Sequence, residues 1–127
     1  MGILNVTPDS FADGGRYSTT DLALKRAEEM INEGVDIIDV GGESTKPGAE
    51  RVTQADEVAR VIPVIKELVK KETPISIDTT RASVAEQAIK LGASYVNDVS
   101  GGLADPDMYT LIAKHPKVQY IIMHWRA

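Results

Sequence analysis

Five short apolar runs alternate with four helical stripes along this chain, and that alternation limits the available folds more than any other feature. The runs are Gly2-Ile3-Leu4, then residues 35–40, 74–79, 93–99 and 118–124, each rich in Val, Ile or Tyr. Between the first two, Thr19-Thr20-Asp21 reads as a helix start, Ala23, Ala27, Met30 and Ile31 share a face, and Gly34 is a stop. Thr53 is expected to cap the second helix, in which Val58, Val61, Ile62, Ile65, Leu68 and Val69 form an apolar stripe. Pro63 lies inside that stripe and is expected to kink it or move its start, because proline lacks the amide donor. Val84, Ala88 and Leu91, ended by Gly92, mark the third helix; Met108, Leu111 and Ile112 mark the fourth. Strands alternating with helices predict a parallel sheet with right-handed crossovers.

Polar residues gather at one end of every run. They are Asn5, the segment 41–45, Asp78, Asn97 with Asp98, and His124, each at the C-terminal end of its strand. Parallel α/β sheets bind ligands at that edge, whereas chance would scatter such residues over both ends. Pro8 stops the first strand near Val6, and Asn, Thr, Asp, Ser and Gly fill the loop up to Gly15. A doubly wound sheet would announce a nucleotide with a G-x-G-x-x-G turn after its first strand. Here Gly14-Gly15 comes late and that pattern is absent. A barrel spreads its site over many strand ends, which suits the pattern, but it needs eight strands and about 250 residues. The alternation by itself therefore leaves an open sheet or the first part of a barrel.

Composition narrows the function classes. With 127 residues, 43% of them hydrophobic and 26% charged, the chain suits one domain with a buried core. A net charge of −5 disfavours nucleic acid and anionic membranes as partners. The absence of cysteine removes disulfides, thiolate nucleophiles and thiolate-held metals, and fits a reducing cytoplasm. No apolar run approaches the ~20 residues of a membrane helix, and no export signal opens the sequence. Met1-Gly2 lacks the Ser or Thr that myristoylation wants at position 6, which is Val6. Asn5-Val6-Thr7 is a glycosylation triplet, without meaning unless the chain is secreted.

The loops carry a more specific signal. Met1-Gly2-Ile3-Leu4-Asn5-Val6-Thr7-Pro8-Asp9-Ser10-Phe11, followed by Asp13-Gly14-Gly15, resembles the first signature of the dihydropteroate synthase family. Asp39-Val40-Gly41-Gly42-Glu43-Ser44-Thr45 with Pro47-Gly48 resembles its second. Ile75-Ser76-Ile77-Asp78-Thr79, Val96-Asn97-Asp98-Val99 and Met123-His124 continue the pattern in order, so the likeness runs from Met1 to Ala127. The resemblance implies a (β/α)8 TIM-barrel type of fold, present here as a partial barrel of five strands and four helices in one incomplete pterin-binding domain. It also implies a reaction in which 4-aminobenzoate displaces pyrophosphate from (7,8-dihydropterin-6-yl)methyl diphosphate with the help of Mg2+. These two small molecules are the partners it implies, with homodimerisation left open and the cytoplasm as the location.

Roles follow from the resemblance residue by residue. Asn5 would touch Mg2+, for which an amide oxygen is a suitable hard ligand. Asp78 and Asn97 would read the edge of the flat pterin, Met123 would pack on its ring and Val99 would lie nearby. Asp13 would stabilise positive charge on the methylene carbon, and Lys46 would sit near phosphate. Phe11, Thr45 and Pro47 would flank 4-aminobenzoate. The bland readings make Asp78 and Asp98 helix caps, Asn5 a partner for strand-end backbone, Phe11 and Met123 core, His124 structural and Glu43 a loop brace. The chain departs from the family at Lys46, where Arg is usual and a bidentate fork is lost, and at Ala12, where Ser is common. The family's later Asp, Lys and Arg-x-His groups have no counterpart here, so the chain alone is expected to be inactive. Two alternatives remain: a related pterin-dependent methyltransferase barrel, and a non-catalytic pterin-binding half-barrel.

Overall fold

The structure, a computed structural model, describes residues 1–7, 19–43 and 52–122. Its elements run β1 (Gly2–Asn5), α1 (Thr19–Asn32), β2 (Ile38–Gly41), α2 (Gln54–Leu68), β3 (Ile75–Asp78), α3 (Ala82–Leu91), β4 (Tyr95–Asp98), α4 (Met108–Lys114) and β5 (Gln119–Ile122). All four strand pairings are parallel, and the sheet order is β1-β2-β3-β4-β5. A doubly wound sheet reverses its strand order at a switch point, whereas a barrel adds each strand beside the last. The sequential order of the five strands and four helices among the described residues is that of a partial (β/α)8 barrel.

Side-chain alternation divides the sheet into two faces. Leu4, Val40, Ile77 and Val96 lie in one register row, with Ile38 and Ile75 in another on the same face. They form the core with Ala27 and Met30 of α1, Val61, Val64, Ile65 and Leu68 of α2, Val84, Ala85 and Ala88 of α3, and Met108 and Leu111 of α4. β-branched residues suit this face because they pack well on a pleated surface and lose little freedom there. The opposite face carries Ile3, Asp39, Ser76 and Tyr95 in one row and Asn5, Gly41, Asp78 and Asn97 in the next. Burying the outer face against helices thus delivers the polar residues to the inner one.

Several expectations shift. β2 begins at Ile38 rather than Val35 and runs through Gly41; Val35 instead donates its N–H to the Met30 carbonyl at 3.2 Å as α1 ends. Pro63 neither moves the start of α2 nor divides it. Pro63 and Ala59, whose carbonyl it leaves unpaired, both face water, which can hydrate that oxygen. The buried stripe of α2 is Glu57, Val61, Val64, Ile65 and Leu68, with Val58, Ile62 and Val69 at its flanks. Thr53 caps α2 as expected, accepting the Asp56 N–H at 3.2 Å. α3 is capped from a distance: Asp105 Oδ2 accepts the Ala82 N–H at 2.8 Å.

Candidate functional site

The sheet register collects the strand-end polar residues. Asn5 pairs with Gly41, Gly41 with Asp78, and Asp78 with Asn97, so these four occupy one level of the inner face. Strands lie about 4.8 Å apart, which puts Asp78 and Asn97 side by side and Asn5 about 10 Å from Asp78 across Gly41. Gly41 keeps that gap open, since a Cβ there would stand 3.3 Å from both Cβ and Oδ2 of Asp78. The face is concave: Asn97 Nδ2 donates to Asp39 Oδ2 at 3.2 Å although two strand spacings separate their backbones.

Burial and bonding distinguish the members of this row. Asn97, Asp39 and Ser76 are buried, at 2%, 2% and 0% exposure. Yet Asn97 Oδ1, Asp39 Oδ1 and Ser76 Oγ are buried atoms without a hydrogen bond of acceptable geometry among the described residues. Ser76 lies near enough to Asp39 to favour its ionised form, without completing a bond to Oδ1. Buried polar atoms are normally paired, and leaving one unpaired costs about 1–3 kcal/mol. Three of them on one concave face are the mark of a surface built for something else to complete. Asp78 is half-buried, and its carboxylate has no hydrogen-bond partner among the described residues.

The electrostatics agree. Burial pushes the Asp78 carboxyl up to about 7, and the negative charges of Asp39, Glu57, Asp98 and Glu43 add to the shift. Asp39 is also raised, by burial first, against the opposing effect of its Ser76 and Asn97 neighbours. Two adjacent carboxyls that resist ionising together are poised to accept N–H donors from a ligand.

Among the expected site residues, the structure thus brings together Asp78, Asn97 and, further along the row, Asn5, which is exposed and whose side chain bonds to no described residue. Val99 is half-buried, one residue beyond β4. Phe11, Asp13, Thr45, Lys46, Pro47 and Met123 lie outside the described residues, as does His124. The helix-cap readings of two aspartates are corrected. Asp78 caps nothing, because the N-cap of α3 is Arg81. Asp98 faces away from the row and organises the turn after β4, accepting from Ser100 N and Oγ at 2.9 and 2.7 Å, Gly102 N at 3.0 Å and Tyr120 Oη at 3.0 Å. Glu43 accepts from Arg81 Nη1 at 2.8 Å, a brace of the kind foreseen for it.

Sequence reasoning assigned no role to Asp39 and Ser76. Their signal was present: each is a polar residue at an alternate position of an otherwise apolar strand, two residues before the strand's polar end. For a metal, the described residues contain no cluster of three His, Cys, Asp or Glu side chains. Asn5 supplies one exposed amide oxygen, which fits a Mg2+ that brings phosphate oxygens and water as its other ligands. Among the described residues no helix is long and apolar enough to cross a membrane.

A parallel β/α half-barrel whose inner strand ends present Asp and Asn side chains has the form of a small-molecule binding domain of the barrel class, and comparison with known proteins specifies the family. The chain belongs to the pterin binding enzyme family, whose model matches residues 1–127. It is 55% identical over 127 residues to the dihydropteroate synthase of Bacillus subtilis, covering 99% of this chain and 44% of that protein. Among solved structures it resembles Xanthomonas albilineans dihydropteroate synthase with 4-aminobenzoic acid, at TM-score 0.91 and 41% identity, over 99% of this chain and 46% of that one. It also resembles the Anaplasma phagocytophilum dihydropteroate synthase with bound 6-hydroxymethylpterin-monophosphate, at TM-score 0.88 and 44% identity, over 99% and 48% of the two chains. The chain therefore spans about half the length of the curated relatives it matches.

Proposed function

We propose that this chain forms the pterin-binding part of a cytoplasmic dihydropteroate synthase, acting in folate biosynthesis. The observation that carries the reading is the inner-face row of Asp78 and Asn97 above the unpaired atoms of Asp39, Ser76 and Asn97. A pterin offers adjacent N–H donors along one edge and a donor–acceptor pair along the next. The Asp78 carboxylate matches the first edge, and the Asn97 carbonyl, still without a donor, matches the second. Asp39 Oδ1 and Ser76 Oγ form the floor, where they would bond the buried end of the heterocycle. The relatives' complexes with 6-hydroxymethylpterin-monophosphate and 4-aminobenzoic acid support the same choice of ligands.

The reaction forms a C–N bond and breaks a C–O bond. The amine nitrogen of 4-aminobenzoate attacks the pterin methylene carbon, pyrophosphate leaves with the bonding pair, and the ammonium product loses a proton to solvent. Asn5 would hold Mg2+ through its amide oxygen, and the metal would supply positive charge to offset that of the departing diphosphate. Asp78 and Asn97 hold the pterin in plane so that its methylene faces the amine. Asp13 stabilises the developing positive charge on that carbon, and Lys46 supplies a cation near phosphate. Phe11, Thr45 and Pro47 hold the arylamine, while Val99 and Met123 cover the pterin ring.

The test is 4-aminobenzoate-dependent pyrophosphate release by the whole protein, with pterin binding measured beside it. Release of pyrophosphate that requires both substrates supports the reading. Pterin binding without turnover would favour the non-catalytic alternative, and absence of pterin binding would end both.

A further inference from the structure

The hydrogen bond between Asn97 and Asp39 takes a long route for both partners. Asn97 of β4 lies in register with Asp78 of β3, and Asp39 of β2 with Ser76 of β3. Asp78 and Ser76 are therefore the nearer polar side chains, on the strand between the two. Asn97 Nδ2 nevertheless donates across β3, one level back toward the strand starts, to Asp39 Oδ2 at 3.2 Å. Both residues are 2% exposed. The second oxygen of each group, Asn97 Oδ1 and Asp39 Oδ1, is buried and completes no hydrogen bond among the described residues, and neither does Ser76 Oγ on the strand they span.

We propose that Asp39 is a positioning residue: by holding Nδ2 it fixes the Asn97 amide in one orientation, so that Asn97 offers a ligand its carbonyl oxygen and not its amino group. The inference rests on the pterin reading above and adds the residue that decides what Asn97 reads. A free amide can turn end for end and present either a donor or an acceptor. An ionised carboxylate only accepts, so a turned amide would set Asn97 Oδ1 against Asp39 Oδ2, two acceptors at the 3.2 Å now spanned by an N–H. Burial pushes the Asp39 carboxyl up, while Ser76 and Asn97 beside it act in the opposite sense and favour the accepting form. With the Asp78 carboxylate next to it, Asn97 Oδ1 makes this part of the inner face a run of acceptors. A flat ring that brings N–H groups there is matched; one with a bare ring nitrogen or a carbonyl at the same place meets an acceptor and is rejected. Stability is a weak reason for the bond, because a fold serving stability alone would not leave three buried oxygens around it unpaired.

The experiment is a double-mutant cycle in the whole protein, with Asp39→Ala, Asn97→Ala and the two together. Affinity is read by calorimetry with 6-hydroxymethylpterin-monophosphate, the ligand bound to the Anaplasma phagocytophilum relative. Asp39→Ala should weaken binding about thirtyfold when Asn97 is present. In the Asn97→Ala background the same change should cost no more than about fivefold, the share that Asp39 Oδ1 contributes by its own contact with the heterocycle. Equal losses in the two backgrounds overturn the proposal, since Asp39 then acts without Asn97, and so does an unchanged affinity in Asp39→Ala. Asp39→Asn keeps an acceptor of the same shape and should weaken binding only about threefold. If Asp39→Ala does not fold, the cycle is run with Asp39→Asn: a loss confined to the protein that retains Asn97 supports the proposal, and a loss shared by both backgrounds, or none, overturns it. An unaltered protein that binds no pterin sinks the pterin reading and this inference with it, whereas pterin binding with an additive cycle sinks the inference alone.

Discussion

Asp39 and Asp98 are both buried aspartates of one parallel sheet, on strands separated by β3, yet they stand on opposite faces of the sheet and are served in opposite ways. Asp98, fully buried, accepts four hydrogen bonds from the turn that follows it and from Tyr120. Asp39, almost as deep, accepts one among the described residues, from Asn97, and its Oδ1 has none there. Burial alone therefore does not separate a structural carboxylate from a functional one. Unused hydrogen-bonding capacity does, because a protein that could satisfy a buried atom cheaply and has not is holding it for a ligand. Gly102 shows how completely the Asp98 side is committed to structure: its φ is 88°, and the Tyr109 ring occupies the space a Cβ would need.

The most severe break in this comparison should come from Asp98→Ala. Two backbone amides, one hydroxyl and the Tyr120 phenol would lose an ionised acceptor, at a cost of about 4 kcal/mol. Denaturant unfolding of the whole protein reads the loss; among molecules still folded, pterin affinity should remain. Selective loss of pterin binding with normal stability would place Asp98 in the ligand site and undo the contrast. Asp78→Ala should behave in the reverse manner. Removing a carboxylate that takes two N–H donors costs about 3 kcal/mol of binding, roughly a hundredfold in pterin affinity, with no loss of stability. Unchanged pterin affinity would remove Asp78 from the site.

pH sharpens the contrast, because stability and binding should move in opposite directions. Asp78 has its carboxyl raised from 3.8 to about 7 by burial and neighbouring charge. A raised carboxyl means that the fold favours the neutral form. Its contribution to stability is complete below pH 3.8 and is lost as pH rises through about 7. Pterin N–H donors favour the ionised form, so affinity should instead fall as pH drops below that same value. From pH 7 to pH 6 the ionised fraction falls from about a half to a tenth, and affinity should weaken about fivefold. Calorimetric titration across this range checks it; an affinity that is flat between those values would mean that Asp78 does not titrate where its surroundings imply.

Much of this was legible in the residues, for a physical reason that also marks where legibility stops. Strand and helix alternation follows from local periodicity, and the C-terminal placement of Asn5, Asp78 and Asn97 needs only the direction of each strand. The single register row that unites them follows from those two facts. What escaped was pairing across the chain. Glu57, to which sequence reasoning assigned nothing, is buried in the stripe of α2 beside Arg81, 24 positions later, which donates to it at 2.7 Å. Asp98 reads as a helix cap, the commonest use of Asp after a strand, whereas its partners are a turn and a tyrosine on the next strand. Asp39 carried a signal in its alternation, but its importance lies in an oxygen left without a partner, and no single sequence displays that.

The smallest effect tests whether the Asp98 side is as fully committed as its four bonds suggest. Tyr120 Oη donates to Asp98 Oδ2 at 3.0 Å, and its phenol is pushed up by burial first and then by this bond to a carboxylate. The Tyr120 ring also packs edge-on against Tyr109, with centroids 5.8 Å apart and planes at 68°. Tyr120→Phe deletes the hydroxyl and keeps the ring contact. Asp98 Oδ2 retains the Gly102 N–H at 3.0 Å and Oδ1 retains both donors of Ser100, so no acceptor is left bare. The expected cost is about 1 kcal/mol in the denaturant midpoint, with pterin affinity unchanged. A cost near that of Asp98→Ala would mean that the tyrosine, rather than the turn amides, holds the carboxylate. A change in pterin affinity would mean that the two faces of the sheet communicate through β4, and that the satisfied aspartate and the unsatisfied one belong to a single network.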